Sequence, residues 1–248
     1  MATSASVLPT RFVPESKVVN SANVTAVFDP NKENAVAFGK LFGVKPFSDS
    51  FEDFLEEVDA VYVASPHLTH YDYTKKYLYA DKHVRCDILL MVCEIPFMLN
   101  SEQARELYDY AEAHDIVLLE ASKTAFSPSF NHLVTLVKSG VIGDVVDVKT
   151  SLSKMVDVPT RELDASLAGG AMNEHAPLNM MAIVKLLGKN YTKVDFYSKV
   201  ENGVDIYTKA NICYPHATAS MTLGIGVKTE GNMIISGTKG YVYVPAPW

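Results

Sequence analysis

VTAVFDPNKENAVAFGKLFGV, residues 24–44, decides the fold. Val24-Thr25-Ala26-Val27-Phe28 is apolar and β-branched, as a buried strand requires, and Asp29-Pro30 ends it as a turn. From Asn31 to Phe42 the period changes: Ala35, Ala37, Phe38 and Leu41 recur at helical spacing, and Gly43 closes the run. A strand passing through a short turn into a helix is half of a βαβ unit.

The same alternation extends to about residue 120. Ser50 to Glu57 is a short helix with Ser50 and Asp53 in capping-box spacing, and Asp59 to Ala64 is a strand stopped by Ser65-Pro66. Thr69 to Tyr79 is helical, VRCDILLMVCEIPFMLN (84–100) supplies the next strand, Asn100 or Ser101 caps a helix to about His114, and Ile116 to Leu119 is a further strand. Strands alternating with helices of about ten residues imply right-handed crossovers and a parallel sheet.

After about residue 145 the pattern is mostly strands: Val145–Leu152, Lys193–Lys199, Val204–Cys213, Ala217–Ile225, Asn232–Ser236 and Tyr241–Val244, interrupted by one helix over Pro177–Leu187. The expected fold is therefore α/β: a Rossmann-like parallel-sheet domain over 1–122, then an α+β domain over 123–248 with a mostly antiparallel open sheet. No apolar strand precedes Val24 and the last strand runs into Pro245, so the first strand of the parallel sheet is expected to be missing and the second sheet incomplete.

Composition narrows the function. A net charge of −7 with no basic run excludes a nucleic-acid or anionic-membrane partner as the expectation. The longest apolar stretch, Ile88 to Cys93, is too short to span a bilayer, and Met1 to Pro9 lacks the features of a signal peptide. Three scattered cysteines give neither a disulfide framework nor a zinc pattern, so the expectation is a reducing cytoplasm and no metal.

In an open parallel sheet, ligands bind beyond the carboxyl ends of the strands. Asp29 stands there, either as an acid for a ribose hydroxyl or as a turn aspartate. Ser65, Pro66 and His70 follow the Asp59–Ala64 strand, with His70 either facing the cleft or solvated. Lys123 follows the strand ending at Leu119, as an electrostatic or acid/base group or as a surface lysine. Gly169-Gly170 precedes Glu174 and His175, which are either a proton-transfer pair or ordinary helix-start residues; adjacent helical side chains diverge by about 100°. A glycine-rich phosphate loop is absent from ATSASVLPTRFVPES (2–16), leaving small Ser4, Ala5 and Ser6.

Taken in order, these pieces resemble the Gfo/Idh/MocA family of NAD(P)-dependent oxidoreductases. VTAVFDPNKENAVAFGKLFGV is similar to its second strand and helix, and VDAVYVASPHLTHYDYTKKYL (58–78) to its DAVYIATP…TH segment. VCEIPFMLN (92–100) is similar to its CEKP…LN motif, LLEASKTAFSPSFNHLVTLVKSGVIGDV (118–145) to its crossover, and AGGAMNE (168–174) to its GGGALxD loop. The resemblance implies hydride transfer between a nicotinamide cofactor and a hydroxyl- or carbonyl-bearing carbon of a sugar or polyol. It also implies a homodimer or higher oligomer through the second domain's sheet.

Carried over by position, Ser4 and Ser6 fall on phosphate-loop glycines and Asp29 on the ribose acid, which favours NAD over NADP. Ala64, Ser65, Pro66 and His70 flank the cofactor. Glu94 falls on the motif glutamate, Ile95 on the motif lysine, Glu174 on the acid of the Gly-Gly-Ala loop, and Leu178 where many members have His or Tyr. Seven residues, Arg85 to Met91, read as an insertion. With the glycines and the lysine absent, a catalytically inactive relative that binds or scaffolds, and holds no cofactor, is the second expectation.

Overall fold

The computed structural model describes residues 12–19, 22–80, 90–156, 160–246 and 248. Two units divide the chain, Met1–Ala121 and Ser122–Trp248.

In the first unit the short helix α1 (Val13–Ser16) precedes β1 (Ala26–Phe28), α2 (Lys32–Phe42), β2 (Lys45–Phe47), α3 (Phe51–Leu55) and β3 (Ala60–Val63). A 3-10 turn at His67–Thr69 leads into α4 (His70–Tyr79), followed by β4 (Leu90–Cys93), α5 (Ser101–Ala113) and β5 (Val117–Glu120). Side-chain caps fix the helix starts: Asn31 Oδ1 accepts the Glu33 N–H at 2.9 Å, Ser50 Oγ the Asp53 N–H at 3.0 Å, and Asn100 Oδ1 the Glu102 N–H at 2.7 Å. Gly43 closes α2 in the left-handed conformation at φ 72°.

The buried stripe of α2 is Ala35, Phe38 and Gly39. Ala37 is exposed and Leu41 is 70% exposed, because these two, four apart, lie on a neighbouring face. Gly39 is needed where it stands, since a Cβ there would lie 2.8 Å from the Val44 carbonyl oxygen.

β1 pairs in parallel with β2, and β3, β4 and β5 form a parallel sheet in which Val63, Cys93 and Glu120 lie side by side. Among the described residues no strand joins β1 to β3; Val13 instead packs in one cluster with Val27 and Ala64. A larger cluster gathers Phe28, Phe54, Leu78, Met91, Leu107 and Leu118. Leu78, Met91 and Leu107 are fully buried, each contributing roughly 1.5–3 kcal/mol. Ser4, Ser6 and residues 85–89 lie outside the described residues; Leu90 and Met91, read as part of an insertion, are strand residues.

The second unit begins with α6 (Lys123–Phe126) and α7 (Pro128–Lys138), then β6 (Val145–Ser153), two 3-10 turns over Arg161–Leu163 and Ala165–Leu167, and α8 (Ala171–Leu187). β7 (Lys193–Glu201), β8 (Val204–Cys213), β9 (Thr218–Gly224), β10 (Met233–Gly237) and β11 (Tyr241–Val244) follow. The sheet order is β11-β10-β6-β9-β8-β7, antiparallel except where β6 meets β9. Its core combines Phe130 and Val137 of α7, Ile183 and Leu186 of α8, and Val148, Ile212, Leu223 and Ile235 of the strands.

Two differences from the sequence pattern concern helices. α7 has no counterpart among the expected elements, although Pro128 at its first turn and Phe130, Leu133, Val134 and Val137 at helical spacing are its signals. α8 starts six residues before Pro177, which the helix tolerates although it lacks the N–H that would reach Asn173.

Candidate active site

The first cluster lies at the carboxyl ends of the parallel strands. Asp29, just after β1, is 4% exposed; its Oδ1 accepts the Asn31 N–H at 2.8 Å and its own N–H donates to the Phe47 carbonyl at 3.1 Å. The aspartate thus serves the turn whether or not it serves a ligand. Nearby, burial and then the Asp29 charge raise the Tyr73 phenol pKa.

After β3, Ala64 and Ser65 are buried and Pro66 is exposed. Ser65 Oγ is buried without a hydrogen-bond partner among the described residues. His70 is 1% exposed, so the solvated alternative is excluded. Its Nε2 lies 2.8 Å from the Ser65 carbonyl oxygen and its Nδ1 2.9 Å from that of Pro96.

After β4, Glu94 donates its N–H to the Val63 carbonyl at 2.9 Å and enters a cis Ile95–Pro96 peptide bond. Tyr62 OH donates to Glu94 Oε1, and Phe12 stacks on the Tyr62 ring at 4.0 Å. Burial first, then the Glu94 charge, pushes the Tyr62 phenol far above its ordinary pKa. Ile95 is half-buried. After β5, Glu120 Oε1 accepts the Phe97 N–H at 2.9 Å; burial raises its carboxyl pKa, and the Phe97 bond opposes the rise. Cys93 is fully buried, and burial pushes its thiol up to about 12.

Tyr62 and Glu120 were not singled out from the sequence. Alternation turns Tyr62 away from its buried neighbours Val61 and Val63, whereas it places Glu120 on the face of buried Leu118, beside Cys93. Their positions next to strand ends were the available signal.

The second cluster surrounds the start of α8, in the other unit. Gly170, at φ 125°, precedes the helix, and a Cβ there would lie 2.2 Å from Asp205 Oδ1. Asp205 Oδ2 accepts the Met172 N–H at 3.0 Å and the Thr208 hydroxyl at 2.6 Å, so it caps α8 from β8. Arg161 pairs with Glu174 through both guanidinium arms, at 2.7 and 3.0 Å. Burial disfavours the Arg161 charge, but Glu174 outweighs it and holds that pKa above its ordinary value.

His175 is partly buried, and burial lowers its pKa against the opposing pull of Glu174. The Gly224 backbone favours the charged ring without outweighing burial, and Nε2 is buried without a hydrogen-bond partner among the described residues. Asn179, one turn on, is fully buried and donates to the His175 carbonyl at 2.7 Å. The Glu174 carboxylate is therefore bound to Arg161, and its charge acts on His175 only as an influence that burial outweighs. Lys123 opens α6 and is exposed. Leu178 is partly buried on α8. No group of three or more metal-ligating side chains occurs among the described residues.

A nicotinamide dinucleotide needs hydroxyl acceptors for its ribose and small residues at the strand ends for close approach. Acidic Asp29, the orphaned Ser65 hydroxyl and small Ala64 at those ends fit such a group.

Comparison with known proteins bears on this cluster directly. Residues 10–122 match the profile of the GFO_IDH_MocA family, described as an oxidoreductase family with an NAD-binding Rossmann fold. A trans-1,2-dihydrobenzene-1,2-diol dehydrogenase of Xenopus laevis is 25% identical over 230 residues, covering 90% of this chain and 67% of the relative. A scyllo-inositol 2-dehydrogenase (NADP(+)) of Bacillus subtilis is 34% identical over 125 residues, covering 50% of this chain and 36% of the relative. Among solved structures, a 3-ketoreductase of Actinomadura kijaniata in complex with NADP and TDP-benzene superposes with a TM-score of 0.83 at 23% identity, covering 98% of this chain and 74% of that one. Among the described residues no helix is long and apolar enough to cross a membrane.

Proposed function

From the premise that this chain belongs to the Gfo/Idh/MocA family of oxidoreductases, we propose that it transfers hydride between a nicotinamide cofactor and a hydroxyl- or carbonyl-bearing carbon of a sugar or polyol. The observation that carries this reading is the set of strand ends: Asp29 follows β1 of one parallel sheet, and Ala64-Ser65-Pro66 and Glu94-Ile95-Pro96 follow β3 and β4 of the other, the ends at which α/β sheets take their ligands. The relatives named for diol and inositol dehydrogenation supply the substrate class.

In this reading the Met1–Ala121 unit holds the dinucleotide and the Ser122–Trp248 unit binds substrate and a second copy. The cofactor, when bound, supplies or accepts the hydride. Asp29 accepts from the ribose hydroxyls and favours NAD, since an anionic carboxylate repels a 2′-phosphate. Ala64, Ser65 and Pro66 line its path, with Glu94 at the motif turn; Ser4 and Ser6, carried over onto the phosphate-loop positions, lie outside the described residues. His70 belongs to the same region through the backbone it holds.

Ile95 can neither donate a proton nor carry charge, so the proton step falls to Lys123, Glu174 and His175. Of these, His175 carries a ring nitrogen without a hydrogen-bond partner among the described residues, and burial lowers its pKa. Exposed Phe196, Tyr197, Val200, Tyr241 and Tyr243 on the outer strands β7 and β11 support self-association through the sheet. Free Cys93 and Cys213 accord with a reducing cytoplasm.

Titration with NADH and NADPH, followed by nicotinamide fluorescence, tests the reading. Saturable binding, tighter for NADH, is the expected result. No binding of either nucleotide by the folded chain would overturn it.

A further inference from the structure

The ring of His70 is committed to backbone at both nitrogens. Nε2 lies 2.8 Å from the Ser65 carbonyl oxygen and Nδ1 2.9 Å from that of Pro96. Both carbonyls lie within hydrogen-bond distance, and the tautomer decides which of them receives a ring proton. The two carbonyls belong to different segments, one following β3 and the other following β4. His70 itself is anchored as the first residue of α4, its N–H donating to the His67 carbonyl, and the buried His67 ring packs edge-on at 5.6 Å.

The turn after β4 is gripped from its other side as well. Glu120, at the end of β5, takes the Phe97 N–H at 2.9 Å, and the Ala121 N–H donates to the Cys93 carbonyl at 2.7 Å. Residues 94–97 therefore sit between a histidine from a helix and a carboxyl from a neighbouring strand. Neither group continues the strand ladder, which ends at Cys93. Past the Glu94 N–H, which donates to the Val63 carbonyl, the turn takes its geometry from such side chains.

We propose that His70, with Glu120 as its counterpart, is a positioning residue that sets the geometry of the Glu94–Phe97 turn and hence where residue 95 is presented to the nicotinamide cofactor. The buried ring has no nitrogen left over for a ligand, so its influence on binding passes through Pro96. The structural half stands on the contacts above; the link to cofactor rests on the oxidoreductase reading.

The test uses the full chain and four variants: His70→Ala, His70→Asn, Glu120→Ala and Glu120→Gln. Asparagine places an amide nitrogen close to the position of Nδ1, and glutamine keeps an oxygen for the Phe97 N–H. Amide hydrogen exchange is read first, without any nucleotide. Exchange at the Phe97 amide is expected to quicken roughly tenfold in Glu120→Ala, which removes its acceptor, exchange at Glu94 and Phe97 to quicken in His70→Ala as the freed Pro96 carbonyl loosens the turn, and both to stay within about threefold of the parent in the asparagine and glutamine variants. Unchanged exchange at the turn, or an equal loss of protection across β3, β4 and β5, overturns the positioning role. If an alanine variant fails to fold, lost protection in its conservative partner overturns the role and retained protection supports it.

NADH affinity is read second. A roughly tenfold weaker Kd in the alanine variants, recovered in the conservative ones, supports the link to cofactor. An unchanged Kd beside faster exchange overturns that link. Absence of nucleotide binding in the parent sinks the oxidoreductase reading, and the exchange data still decide the positioning role.

Discussion

Arg161 and Glu174 meet through two parallel contacts, Nη1 to Oε1 at 2.7 Å and Nη2 to Oε2 at 3.0 Å. This forked geometry occupies both carboxylate oxygens and fixes the 3-10 turn at Arg161–Leu163 against the first turn of α8. With the side chains 29% and 15% exposed, the pair lies between a screened surface bridge and a buried one. Arg161→Ala is therefore expected to destabilise the protein by about 1–3 kcal/mol, with Arg161→Lys recovering less than half because an ammonium cannot fork. Urea unfolding measures both. An unshifted midpoint in the alanine variant would show that the pair is dispensable.

Gly170 and Asp205 make a tighter demand. The glycine adopts φ 125°, and a Cβ would meet Asp205 Oδ1 at 2.2 Å, where that carboxylate caps α8 through Met172. Gly170→Ala adds backbone strain and displaces the cap together. A loss on the order of 3 kcal/mol is expected in thermal or urea unfolding. Asp205→Asn, which keeps an acceptor oxygen, should cost less than half of that. Equal losses would mean that charge, not geometry, is what α8 needs there.

Most of the architecture was legible because it rests on period. Val24 to Gly43 announced a strand, a turn and a helix, and β8 and β11 occur at the limits that alternation and turn residues gave. What escaped was set by contacts distant in sequence. Tyr62 reaches Glu94 across 32 residues and Glu120 reaches Phe97 across 23, and no local pattern encodes either. His70 was visible as a histidine at a strand end, yet its role depends on Pro96, 26 residues away, turning its carbonyl toward the ring. Glu174 and His175 look like a pair in the sequence because they are adjacent; helix geometry sends one to Arg161 and the other toward Gly224.

His175 gives the stability a pH dependence of definite sign. Burial holds its pKa below the ordinary value of about 6.5, so the folded protein binds this proton more weakly than the unfolded chain. The contribution is full above about pH 6.5 and is lost as pH falls through the lowered folded value. Urea midpoints should drop on acidification below that point, and less steeply in His175→Gln, whose side chain does not titrate. Parallel pH profiles for the two proteins would show that the imidazole does not control this limb.

Ile95 sits half-buried between Glu94 and Pro96, on the turn that Tyr62, His70 and Glu120 surround with hydrogen bonds. Because the turn is built from other side chains and backbone, Ile95→Lys should enter it without rebuilding it. An ammonium there can polarise a substrate oxygen and donate a proton, a function worth about 10²–10⁴ in rate. The expected outcome is a gain of at least about 10² in NADH-dependent reduction of a polyol-derived ketone, with NADH affinity little changed. The split between rate and affinity is the informative quantity. A gain in affinity alone would make residue 95 a cofactor contact, whereas tight binding with no gain in turnover would place the proton donor at Lys123 or His175.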